Sequence, residues 1–214
     1  RQLSSAMKQA VRHLEFEKAA TLRDQLQHLR QIQKNETLPP LATHAPFIQL
    51  THLLKHPTLI KHIECFDISH THGDTPIAAC VTFQYTHLDV PHTHRFSIHP
   101  TQPGDDCAAL GEALLRRYQA PLSFKMPELL LIDGGKGQVH RAQRVMADLA
   151  LSVRILGITK GLQRKACHDR IYDPILNDFL TLHEDDPVLH FLQHIRDETH
   201  RSALLSHRKK RAKR

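Results

Sequence analysis

The sequence has no tryptophan, only 5% aromatic residues, eight glycines and four cysteines. The cysteines, Cys65, Cys80, Cys107 and Cys167, form no CxxC pair, which argues against a structural zinc site. Their apolar or helical settings read as those of small buried hydrophobes in a reducing cytoplasm. No run approaches the roughly 18 apolar residues of a membrane helix. A charged-then-apolar signal pattern at the N-terminus is missing as well. The glycines fit neither GxGxxG nor GxxxxGK[ST], since Lys136 is followed by Gly137, so a dinucleotide site and a P-loop are both excluded. No internal repeat is visible.

What is present fits a soluble globular protein. The chain has 214 residues, 40% hydrophobic and 24% charged, enough for one core plus a small appendage. Six of the seven net positive charges lie in the ending HRKKRAKR, residues 207–214. The basic character therefore belongs to a tail and not to the whole surface. Beside a carboxylate site such a tail points to an anionic polymer; alone, it reads as a solvated run. The 19 histidines include HTHGD, PHTH and HFLQH, which lack an H-E-x-x-H pattern or a cysteine partner and read mostly as compositional bias. The opening RQLSSAMKQA lacks a Met and already looks helical, as in a piece of a longer protein.

Residues 1–34 carry a helical period through Leu3, Met7, Val11 and Leu14, continued by Leu22, Leu26 and Leu29. They predict a helix or a short helical hairpin. Residues 35–46, NETLPPLATHAP, read as a linker, followed by a short helix ending near Pro57. Three strands are expected at Ile63–Ile68, Ile77–Phe83 and His94–Ile98, with turns at Gly73–Pro76 and His87–His92, forming an antiparallel meander. A helix from Asp105 or Asp106 to about Tyr118, a strand at Leu129–Ile132, a helix over about 138–149 and a strand at Val153–Ile158 follow. Residues 161–187 read as irregular, and Asp186-Pro187 opens a last helix to about His207. This order predicts an α/β fold, one mixed sheet with helices packed on it.

Three separated polar residues carry the chemistry. Asp67 lies in IECFDISH, Asp133 in LLLIDGGKGQ and His200 in LQHIRDETHR. Both aspartates belong to apolar runs that read as buried strands, and a carboxylate at a strand end faces the mouth of the sheet. Two on neighbouring strands could hold a hard divalent cation such as Mg2+ or Mn2+. Each has a plainer reading too: Asp67 as a strand-end turn, Gly134 and Gly135 as a sharp strand–helix turn, His200 as a structural helix residue. Asp105 and Asp106 precede a helix, and the N-cap role falls more naturally on Asp105. Lys136, at a helix N-terminus, could meet a phosphate.

Taken together, IECFDISHTHG, GDDCAAL, LLLIDGGKGQ, LGITKG and LHFLQHIRDETHRSALLSHRKKR resemble the C-terminal half of the UvrC family, the incision subunit of bacterial nucleotide excision repair. MKQAVRHLEFEKAATLRDQLQHL resembles its UVR motif, a helical hairpin that docks on UvrB. The resemblance implies a UVR hairpin over 1–34, a linker, an RNase H-like endonuclease domain over 47–207 and a basic tail over 208–214. It implies Asp67, Asp106, Asp133 and His200 as catalytic residues, with Asp67 and Asp133 as the metal ligands and Mg2+ or Mn2+ as cofactor. His200 would serve as ligand or proton relay. Lys136, Lys160, Arg208, Lys209, Lys210 and Arg211 would meet DNA, and Leu14, Phe16, Ala19, Ala20, Leu22 and Arg23 would meet UvrB. The partners implied are UvrB and damaged double-stranded DNA in the cytoplasm. The GIY-YIG nuclease and helix-hairpin-helix domains of the family are not seen in this chain.

The implied activity is metal-dependent hydrolysis of a DNA phosphodiester, the incision 5′ to a lesion. An alternative is a catalytically silent fragment that binds UvrB and DNA. A general RNA–DNA hybrid nuclease would need a fuller carboxylate set, and Glu64, an odd number of residues from Asp67, faces the other side of an alternating strand.

Overall fold

Apolar strands interrupted by single acids build the middle of a seven-stranded sheet. The computed structural model describes residues 44–69, 77–85, 87–98, 105–119, 125–159 and 169–211, with backbone alone at 87–92 and 204–211. In chain order the elements are α1 (Ala45–Leu53), β1 (His62–Ser69), β2 (Ile77–Gln84), β3 (His87–Ser97), α2 (Asp106–Tyr118) and β4 (Leu129–Asp133). They continue with α3 (Lys136–Asp148), β5 (Arg154–Thr159), β6 (Arg170–Asp173), β7 (Asp178–Leu180) and α4 (Pro187–Arg211). The strand order is β3-β2-β1-β4-β5-β6-β7. β1, β2 and β3 form the antiparallel meander, and β1, β4 and β5 pair parallel. The hairpin expected over 1–34 lies outside the described residues.

Four expectations need correction. The stretch 161–187 is not irregular throughout, because β6 and β7 form an antiparallel hairpin on β5. These strands have four and three residues, too short to show a period of two. Their turn is fixed by Asn177, which takes a positive φ of 53° and accepts a hydrogen bond from the Tyr172 hydroxyl at 2.8 Å. Residues 87–92 are strand, not turn: His87 pairs with Gln84 and His92 with Thr82, so the connection is very short. Helix α1 begins at Ala45, inside the expected linker, with Pro46 in the first turn, where its missing N–H costs nothing. Helix α4 runs on to Arg211, so the first four residues of the basic tail are helical.

Alternation along the central strands assigns the two faces. Phe66, Leu130, Ile132 and Ile155 pack against α2 and α3, with Leu110, Leu114, Val139 and Met146 buried among them. Fully burying each such side chain is worth about 1.5–3 kcal/mol. The opposite face, with Ile63, Cys65 and Leu131, is covered by α4, whose Leu192, Ile195 and Ala203 are buried. Phe191 of α4 stacks on Phe47 of α1 at 4.8 Å between centroids. Gly157 on β5 lets α3 come close: a Cβ there would lie 2.6 Å from Val139 Cγ2 and 2.9 Å from the Gly134 carbonyl oxygen.

Glu64 is fully buried on the α2 face, as its odd spacing from Asp67 requires. Arg117 donates to it through Nε and Nη2 at 3.1 and 2.5 Å, and the Tyr118 hydroxyl donates at 2.7 Å. Burial alone would raise its pKa, but the nearby His62 ring at 3.5 Å, the hydrogen bonds from Arg117 and Tyr118 and the Arg117 charge outweigh that and lower it to about 2. Glu64 is thereby a structural anion, held away from the other face.

Candidate active site

The parallel register of β1 and β4 runs Cys65 with Leu131 and Phe66 with Ile132. The next step along both strands places Asp67 beside Asp133, the last residue of β4. Both lie at the carboxyl ends of central parallel strands, where an open α/β sheet binds ligands. Both also project to the face covered by α4, which brings in His200. Its Nδ1 lies 3.0 Å from Asp67 Oδ2. Ligand atoms of Asp67, Asp133 and His200 all fall within 4.8 Å of one another.

The electrostatics of this group favour a cation. The Asp67 side chain is only 7% exposed and that of His200 45%. An ionised acid so buried is costly unless compensated, and a second carboxylate alongside raises that cost. Two carboxylate oxygens and one imidazole nitrogen within such a span could hold a divalent metal ion. The Cys65 thiol, one β-repeat before Asp67, is pushed well up by its burial and further by the nearby Asp133 and Asp67 charges, so it stays a neutral filler under the site.

Helix α4 is anchored where it carries His200. Arg196, one turn earlier and 5% exposed, ion-pairs with Asp169, the residue just before β6. It also donates through Nε to Asp197 Oδ1 at 2.9 Å. Gln193 Nε2 donates to the same Asp169 carboxylate at 3.1 Å. The Thr199 hydroxyl is fully buried and donates to the Ile195 carbonyl at 2.8 Å. Asp169, the partner of Arg196, lies in the stretch that the sequence reads as irregular.

The turn after Asp133 is built by its glycines and Gln138. The Gly134 N–H donates to the Ile158 carbonyl at 3.0 Å, tying the turn to β5. The Gly135 N–H donates to Gln138 Oε1 at 3.1 Å, closing the first turn of α3. A Cβ at Gly134 would sit 1.8 Å from that oxygen. The plainer reading of these glycines, a sharp strand–helix turn, accounts for this geometry.

The remaining expected residues fall elsewhere. Asp106 is the first residue of α2, and Asp105 is its N-cap, accepting from the Ala108 N–H at 2.8 Å. Asp106 is not in the three-residue group, although a Cβ at Gly137 would lie 3.7 Å from Cys107 Sγ, so its helix starts beside α3. Lys136 is exposed at the start of α3, with Nζ 4.9 Å from the Tyr172 ring centroid. Arg208, Lys209, Lys210 and Arg211 lie in the last turns of α4. Lys160 and the six residues expected to meet a partner, Leu14, Phe16, Ala19, Ala20, Leu22 and Arg23, lie outside the described residues.

Comparison with known proteins covers most of the chain. The family model for the UvrC RNAse H endonuclease domain matches residues 51–204, and that for the UvrB/uvrC motif matches residues 1–32. UvrABC system protein C of Nitrosococcus oceani is 42% identical over 170 residues, 79% of this chain and 28% of that protein. The Neisseria gonorrhoeae protein of the same name is 43% identical over 161 residues, 72% of this chain and 26% of its own length. The chain thus spans about a quarter of the length of these relatives. Among solved structures, human ENDOV is similar at TM-score 0.34 and 20% identity, covering 51% of this chain and 50% of that one. Aquifex aeolicus Argonaute is similar at TM-score 0.32 and 13% identity, over 59% of this chain and 21% of that one.

Proposed function

Since the chain belongs to the UvrC family, whose RNase H endonuclease domain spans most of it, we propose that it hydrolyses a DNA phosphodiester 5′ to a lesion, as the endonuclease part of a bacterial excision-repair complex. The observation that carries this reading is the convergence of Asp67, Asp133 and His200 within 4.8 Å at the carboxyl ends of β1 and β4. The UVR motif over residues 1–32 supports recruitment by UvrB, in the cytoplasm.

Asp67 and Asp133 would hold Mg2+ or Mn2+, with His200 as third ligand or proton relay. Such an ion supplies charge stabilisation at the phosphate and a more acidic bound water. The Asp67 carboxylate can only accept a hydrogen bond, so the contact with His200 assigns the hydrogen to Nδ1. Nε2 is then the atom that exchanges a proton with the reaction, and neutral imidazole suits that task near pH 7. Arg196 and Asp169 fix the helix that presents the ring. Asp106 joins the set on family resemblance, from the rim where α2 and α3 begin.

The test is incision of a UvrB-bound, damaged duplex already nicked 3′ to the lesion, with Mg2+ or Mn2+. The parent chain should cut 5′ to the lesion, while Asp133→Asn and His200→Ala, shown to be folded by circular dichroism, should each lose about 100-fold or more. Unchanged incision in those variants would refute the site. A parent that binds UvrB without cutting would instead favour the silent, adaptor-like fragment.

A further inference from the structure

Beyond the carboxylate site, a second cluster stands at the same end of the sheet. Arg170 opens β6 and is exposed, and its guanidinium lies over Phe179 of β7, Cζ 3.8 Å from the ring centroid. Lys136 Nζ lies 4.9 Å from the Tyr172 centroid and 5.6 Å from that of Phe179. Two cations thus share a two-ring platform, and Phe179 and Tyr172 sit 5.6 Å apart. Among the described residues neither cation forms an ion pair with a carboxylate. Register fixes their place: Asp133 pairs with Ile158, and Arg170 with Thr159, the next residue along β5. Arg170 therefore lies two strands sideways from Asp133 at the same end of the sheet but on the opposite face: Ile158 shares the Asp133 face, whereas Thr159 and Arg170 turn to the face covered by α2 and α3.

Such a platform suits a phosphate. An arginine laid on an aromatic ring keeps its planar fork oriented and solvent-facing, which lowers the entropy lost on binding two phosphate oxygens. Outside the ending 207–214 the chain is almost neutral, so two cations with no carboxylate ion pair among the described residues, at the rim of the sheet, are a local feature and not part of a general basic surface.

We propose that Arg170, held on Phe179 and flanked by Lys136, grips a backbone phosphate of the DNA where it passes over the rim of the sheet, away from the bond to be cut. The grip extends the nuclease reading of the carboxylates at the same end of the sheet and rests on that reading. It gives the β6–β7 hairpin a function in aligning substrate.

The test has two arms. In EDTA, where no cutting occurs, binding of the 214-residue chain to a labelled duplex is measured by fluorescence anisotropy across a salt series. Arg170→Gln should weaken binding about tenfold at low salt and reduce the slope of log Kd against log salt by about 0.9. Phe179→Leu should weaken binding less and leave that slope unchanged, since the charge remains while its support is gone. In the second arm, incision by Arg170→Gln should show a raised KM with kcat unchanged. A single methylphosphonate, scanned along the strand on either side of the cut, should at one position raise KM for the parent but not for Arg170→Gln. A parent with no salt dependence, or an Arg170→Gln variant with parental Kd and slope, overturns the proposal. Altered binding by Arg170→Gln with no incision by the parent retains the grip and refutes the nuclease reading alone.

Discussion

Asp67 and His200, 133 positions apart in the chain, meet at 3.0 Å. One is buried in an inner strand of the sheet, and the other is half-exposed on the last helix. Their contact exists only after α4 has docked on the face that β1 and β4 present, so the site depends on tertiary structure even though each of its residues lies in a short motif.

A divalent cation should bind this group without any DNA. Calorimetric titration with Mn2+ should give one site on the parent chain, weakened about 10- to 100-fold or lost in Asp67→Asn and Asp133→Asn. His200→Ala should weaken it less, because an imidazole adds no charge. Saturating Mn2+ should also raise the melting temperature of the parent and not that of Asp133→Asn. Equal affinity in all of these proteins would place the cation elsewhere.

Arg196 and Asp169 form a buried ion pair between α4 and the start of β6. Among the described residues Asp169 Oδ1 has no hydrogen-bond partner, so the pair has little reserve. Arg196→Met leaves the Asp169 charge buried and should cost about 3–5 kcal/mol in urea unfolding. Arg196→Met with Asp169→Leu should regain most of that loss, since no unpaired charge remains. A single variant as stable as the parent would show that the pair does not anchor α4.

Glu64 predicts an acid-side signature. Its folded pKa of about 2 lies below the ordinary 4.5. A depressed acid stabilises the fold above its unfolded pKa, and that contribution is lost as pH falls from about 4.5 towards 2. The shift corresponds to about 3 kcal/mol. Urea midpoints between pH 6 and pH 2.5 should fall steeply for the parent. Glu64→Gln should be less stable at pH 6 and flatter over that window, and equal slopes would exclude Glu64 as the source.

Much of this arrangement could be read from the residues. The apolar runs around Asp67 and Asp133 announced buried strands, Asp105 was recognisable as the cap of α2, and the spacing of Glu64 put it on the wrong face for the site. The β6–β7 hairpin was not legible, because strands of four and three residues carry no period and Pro174 sits in their turn. The continuation of α4 through Arg211 was missed because a run of like charges reads as solvated coil. What no local pattern could give was the meeting of distant residues: Arg196 with Asp169, and Arg170 with Phe179.

The position of Asp133 also depends on a residue with no side chain. Gly157 faces the turn that follows Asp133, and an added Cβ would come within 2.9 Å of the Gly134 carbonyl oxygen and 2.6 Å of Val139 Cγ2. Val139 is fully buried and the carbonyl belongs to a turn already tied to β5, so neither neighbour can yield without moving the start of α3. Gly157→Ala should therefore cost about 1–3 kcal/mol in unfolding. It should also reduce incision at a temperature where the variant remains folded, since displacing the turn shifts the Asp133 carboxylate relative to Asp67. Gly135→Ala is the control: its φ of −84° is open to alanine and an added Cβ meets nothing within 4 Å. That change should cost less than about 1 kcal/mol, the scale of an N-cap preference. If Gly157→Ala matched Gly135→Ala in both stability and incision, the close approach of β5 to the turn would not be what positions Asp133.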